Sequence, residues 1–109
     1  MAEGAKRKGQ QVWTLLVHIG RTEGDGLPER ATGGALLCYA SGTSEKNAVD
    51  ETVSVLRQAS LSPLEVEALG TLEERQQSGD VIGAEDLALM QRALDENAVI
   101  VAQSEFFED

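Results

Sequence analysis

His18 and Cys38 are the one histidine and the one cysteine of this 109-residue chain, and they are the only pair in it that suggests a thiolate nucleophile beside a base. If the apolar segments that carry them pair antiparallel with Gly20 opposite Gly34, His18 faces Leu36 and Leu16 faces Cys38. The two then become diagonal neighbours on one sheet face. A one-residue slip removes that relation. A reactive thiol also needs exposure and an electropositive setting, which a chain of net charge −10 does not favour. The stronger reading is a buried cysteine acting as a small hydrophobe and a histidine near a strand end. A lone thiol forms no internal disulfide, and with one histidine it leaves no cysteine–histidine cluster for structural zinc.

Other constellations are weaker. Glu65 and Glu67 point the same way if they share a strand, as paired carboxylates for acid–base work would. Nothing in the sequence buries them, and exposed acids that guard a sheet edge explain them as well. Glu23, Asp25 and Glu29 lack the spacing of an EF-hand calcium loop. Gly24-Asp25-Gly26 with Gly33-Gly34 lacks both the Gly-Lys-Ser/Thr ending of a P-loop and GxGxxG spacing. No metal and no cofactor is expected.

Charge narrows the partners. Nine basic residues stand against nineteen acidic ones, and residues 62–109 hold twelve of the acids but only Arg75 and Arg92 as bases. Long-range attraction to nucleic acid or to an anionic membrane is thereby disfavoured. Lys6, Arg7 and Lys8 lie in an opening segment without apolar periodicity, so residues 1–10 are expected to be a disordered basic end. No run of apolar residues is long enough for a membrane span or a secretory leader, which makes the cytoplasm the expected compartment.

The elements that must position these residues follow from periodicity. Gln11–Ile19 is rich in β-branched and aromatic residues and reads as a first strand. Residues 20–34, with five glycines and a proline, read as a long loop, whose Arg21, Asp25 and Arg30 are candidate contact residues. Ala35–Ala40 suits a buried second strand. A helix is predicted over about residues 44–59, started by Ser44 and Glu45, with Val49, Val53, Leu56 and Ala59 on its apolar stripe. Pro63 closes it. Leu64–Ala68 alternates as a strand, Thr71 to Glu74 fits a capping box that opens a short helix, and Ala84 to Asn97 gives a second long helix with Leu87, Met90 and Leu94 inward. Ala98–Ala102 is uncharged and β-branched, which favours the middle of the sheet. Phe106 and Phe107 then lie in a tail that can anchor to the body or to a partner.

One α+β domain over residues 11–109 results, in the order ββαβααβ. Crossover connections predict a two-layer α/β sandwich, with a four-stranded mixed sheet and the helices on one face. Its general arrangement looks like the ferredoxin-like class, although the strand–strand opening departs from a βαββαβ order and no motif is shared. The functional expectation is a non-enzymatic domain that works through protein–protein contact, with Arg21, Asp25, Arg30, Glu65, Glu67, Phe106 and Phe107 as contact residues. The first two strands and Ala98–Ala102 are apolar on both faces, so a sheet face without helices would expose Leu16, Leu36 or Cys38, and pairing two such sheets back to back suggests a homodimer. The alternatives are a small-molecule-binding regulatory domain, a small enzyme using His18 with Cys38 or a carboxylate, and an acidic inhibitor of a basic nucleic-acid-binding protein.

Overall fold

The computed structural model describes residues 9–108, so the basic segment Lys6, Arg7 and Lys8 lies outside the described residues. Seven elements follow in the predicted order: β1 (Gln11–Gly20), β2 (Ala31–Gly42), α1 (Glu45–Gln58), β3 (Ser62–Thr71), α2 (Leu72–Gln77), α3 (Ala84–Glu96) and β4 (Val99–Glu108).

The local signals explain most of the boundaries. Ser44 caps α1 by accepting from the Asn47 amide, and Glu45 sits in its first turn, where the helix dipole favours an acid. Thr71 and Glu74 form both halves of the capping box that opens α2, at 3.1 and 2.9 Å. Asn97 ends α3 in the left-handed conformation, with φ 49°.

The sheet order is β3-β1-β2-β4, and every neighbouring pair is antiparallel. The sheet is therefore not mixed, and the ferredoxin-like arrangement does not hold. The physical reason lies in the first hairpin. β1 and β2 are the strands that are apolar on both faces, so they take the two central positions and leave the edges to β3 and β4. Ala98–Ala102 is accordingly not central. β4 is an edge strand that runs on through Phe106 and Phe107, which lie in a strand rather than in a tail.

Nor are there two layers. Leu15, Val17, Ile19, Leu36, Cys38 and Ala40 form a core with Ala48 and Leu56 of α1. Val12 and Tyr39, which point the other way, form a second core with Met90 and Ala93 of α3. Helices thus cover both faces. The right-handed crossover rule governs parallel strands and applies to β2–α1–β3. It does not constrain β3–α2–α3–β4, because β3 and β4 run antiparallel.

The two connections also differ in reach. β3 ends where Thr71 pairs with Trp13, and β4 begins where Val99 pairs with Ala40, which itself pairs with Trp13. Both junctions are at one end of the sheet, so α2 and α3 stay over that end. α1 leaves β2 at Gly42 and must deliver the chain to Ser62, opposite Gly20 at the far end. Its 14 residues span about 21 Å along the sheet, and Leu61 and Leu27 pack against the same core.

Candidate functional site: the uncovered half of the sheet

Along β1 and β2 the face under α2 and α3 changes character midway. Val12, Thr14, Tyr39 and Ser41 are buried, whereas Leu16, His18, Ala35 and Leu37, farther from the helices, are only partly buried. Register makes these four a block, with Leu16 opposite Leu37 and His18 opposite Ala35. On the β3 side Glu67 faces Leu16 and Glu65 faces His18, both exposed. On the β4 side Gln103 faces Leu37 and Glu105 faces Ala35. The result is a shallow apolar strip with carboxylates along both flanks, holding a depression of about 100 Å³ lined by Leu16, Ala35, Leu37, Gln103 and Glu105.

A polar network closes the strip where the helices begin. Thr14 and Tyr39 are directly opposed. Arg75 of α2 donates through Nη1 to Thr14 Oγ1 at 3.0 Å and through Nε to Asp80 at 3.0 Å. The Tyr39 hydroxyl donates to Asp86 of α3 at 2.8 Å. Burial, with Asp86 beside it, raises the Tyr39 phenol above its ordinary pKa, so it stays protonated as a donor. The Arg75–Thr14 bond ties α2 to the sheet and the Tyr39–Asp86 bond ties α3 to it, while Asp80 holds the Arg75 guanidinium.

The singled-out residues are distributed as follows. His18 lies opposite Ala35, and Cys38 lies opposite Leu15 on the α1 side, so the two occupy opposite faces. The register is one residue away from the one that would join them. Cys38 is wholly buried, and that burial pushes its thiol up to about 12. If one face were uncovered, Leu16, Leu36 and Cys38 were the residues expected there; the slip substitutes Leu37 for the last two. Arg21 and Asp25 are bound to each other, with Nε–Oδ2 2.9 Å. Asp25 also accepts from the Thr22 and Leu27 amides, and Arg21 donates to the Pro28 carbonyl. The Arg21 hydrogen bond, followed by those two amides, lowers the Asp25 carboxyl to about 2. The pair therefore holds the β1–β2 loop in shape. Arg30 is exposed.

Gly33 and Gly34 lie inside β2, not in a phosphate-binding turn. A Cβ on Gly33 would meet the Ile19 carbonyl oxygen at 2.6 Å, and one on Gly34 would meet the Glu105 carbonyl oxygen at 2.7 Å. They permit close strand approach. Phe106 and Phe107 are 41% and 40% exposed on the edge strand. Among the described residues no group of three or more His, Cys, Asp or Glu is placed to hold a metal ion, and no helix is long and apolar enough to cross a membrane. A larger hollow, about 360 Å³, is lined by Val12, Leu72 and Leu94 together with Gln10, Gln11 and Gln76.

Sequence reasoning missed Arg75, Thr14, Tyr39, Asp86 and Leu37. Their signal was faint: Arg75 is one of only two bases in an acidic half, and Tyr39 is a polar-tipped aromatic in an otherwise apolar strand.

The model of one family, described as Domain of unknown function (DUF8846), matches residues 12–108, from β1 to the last described residue of β4. The chain belongs to that family. No curated protein and no solved structure matches it. The family match encloses both the uncovered strip and the network that bounds it, so these belong to the family domain as a unit.

Proposed function

We propose that this DUF8846 domain works through protein–protein contact, using the uncovered half of its sheet as the contact surface. The observation that carries the reading is the strip of Leu16, Ala35 and Leu37, left partly open on the two central strands and flanked by acids. Apolar side chains on a flat sheet supply contact area, and the flanking Glu65, Glu67 and Glu105 supply orientation and selectivity for charge. The matching partner presents an apolar ridge bordered by Lys or Arg side chains. A second copy fits this face poorly, because stacking the strip on itself brings carboxylate rows together.

The test is a titration of 15N-labelled protein with a synthetic peptide that alternates leucine with lysine, beside a peptide of equal length that alternates leucine with glutamate. The expected result is amide shifts at Leu16, His18, Leu37 and Gln103 with the lysine peptide alone, weaker at 0.5 M salt and weaker still in Glu65→Gln/Glu67→Gln. Equal binding of both peptides, or shifts confined to other surfaces, would overturn the reading.

A further inference from the structure

The two edges of the sheet are unequal. β3 contains Pro63 and both irregularities of its pairing with β1, at Leu64 and Leu69, and it presents Glu65 and Glu67. Proline, bulges and charge are the devices that stop an edge from pairing with another chain. β4 has no proline, and although its pairing with β2 is irregular at Ala102 and again opposite Thr32, between Phe107 and Glu108, Gln103–Phe107 is regular. Among the described residues no further strand lies beside its outer backbone N–H and C=O groups. Exposed apolar side chains border it on both faces: Val101 (45%) and Phe106 on the α1 side, and Phe107 on the other. On the α1 side Val55 continues this border, lining one hollow with Val99.

We propose that β4 is a self-pairing edge, on which a second copy of this chain adds its own β4 antiparallel to make a continuous eight-stranded sheet. An extended strand is the occupant that satisfies the open backbone groups, and twofold symmetry lets one patch serve both partners. The charges of β4 permit it. With the axis at Phe106, the two phenylalanines oppose each other, Glu105 meets Phe107 and Glu108 meets Ser104 of the second copy. An axis at Glu105 or at Glu108 sets carboxylate against carboxylate. The remaining repulsion is the long-range one between two acidic protomers, which salt screens. The pairing edge is the outer backbone of β4, whereas the uncovered strip is a face of the two central strands; Glu105 borders both, and the Val101→Lys and Leu16→Lys variants separate them.

The test is sedimentation velocity of the full chain over a range of concentrations at 0.05 M and 0.5 M NaCl. A species of twice the monomer mass, more abundant at high salt, is expected. Val101→Lys/Phe106→Lys should weaken it by about tenfold or more, whereas Leu16→Lys should leave it unchanged. Both positions are exposed, and far-UV circular dichroism checks that the variant is folded. Because Phe106 also rests on Gly34, with a Cβ there only 3.0 Å from its ring, Val101→Lys alone serves as the second variant. A monomer at every concentration and salt, or a dimer that Val101→Lys leaves intact and Leu16→Lys dissociates, overturns the proposal.

Discussion

Along the two central strands one face of the sheet is covered from end to end and the other only over half its length. The difference comes from topology rather than from composition. Leu15 and Leu16 are identical neighbours in β1, yet the first is fully buried and the second partly open. α1 has to carry the chain from one end of the sheet to the other, so it roofs its face. α2 and α3 join two strand ends that lie at the same end, so they have no reason to travel farther. A hydrophobic residue left open in this way is a consequence of the path of the chain, and the domain keeps leucines there, with glutamates beside them.

The largest expected effect tests that asymmetry directly. Leu15→Ala should cost about 3 kcal/mol in urea unfolding, as a buried leucine truncated within packed neighbours does. Leu16→Ala, one residue away, should cost less than about 1 kcal/mol. Equal losses would mean that the second face is closed in solution, by a partner copy or by rearranged helices.

How much of this was legible can be read from the same two strands. Periodicity located all seven elements, because capping, β-branching and alternation are local, and the Thr71–Glu74 box was visible residue by residue. The register of β1 on β2 was not local. Pairing Gly20 with Gly34 leaves thirteen residues between the partners and places His18 and Cys38 together; in the structure ten residues separate β1 from β2, and the pairing of Ile19 with Gly34 puts the two on opposite faces. The position of β4 failed for a related reason. Ala98–Ala102 taken alone is an inner strand, and only the polar continuation Gln103–Glu108 marks it as an edge. The distribution of helices between the faces depended on whether β3 and β4 run parallel, which no single segment encodes.

A second effect concerns the covered face. At pH 8 the Cys38 thiol should resist a thiol reagent in the folded protein and react at the rate of unfolding. Its pKa is raised by burial from the ordinary 9.0 to about 12. Between those values the unfolded chain loses a proton that the folded chain keeps. Stability is therefore complete below about pH 9 and falls as pH rises towards 12. Rapid labelling under native conditions would show that α1 does not seal its face.

Next in size are the anchors that hold α2 and α3 at their end. Tyr39→Phe removes the hydrogen bond to Asp86 and should cost about 1 kcal/mol. Thr71→Ala removes one half of the capping box and should cost about as much. Hydrogen exchange distinguishes the two: Tyr39→Phe should loosen α3 and widen the open strip, while Thr71→Ala should act on α2. If both variants exchange like the parent, the helices are held by Met90, Ala93 and Leu72 alone.

The smallest effect lies at the far end, where Leu27 of the β1–β2 loop packs against the α1-side core. Asp25 holds the Leu27 amide at 3.0 Å while Leu27 packs against the α1-side core. The Asp25 carboxyl is lowered from 3.8 to about 2, first by the hydrogen bond from Arg21. A folded-state pKa below the unfolded one stabilises above about pH 3.8 and ceases to do so as pH falls towards 2. Leu27 methyl resonances and Thr22 amide exchange should therefore change with an apparent pKa near 2, and Asp25→Asn should abolish that titration while leaving the Leu16 and Leu37 resonances in place. A simultaneous change at Leu16 would mean that the two faces respond together and that the loop serves the open strip as well as the covered core.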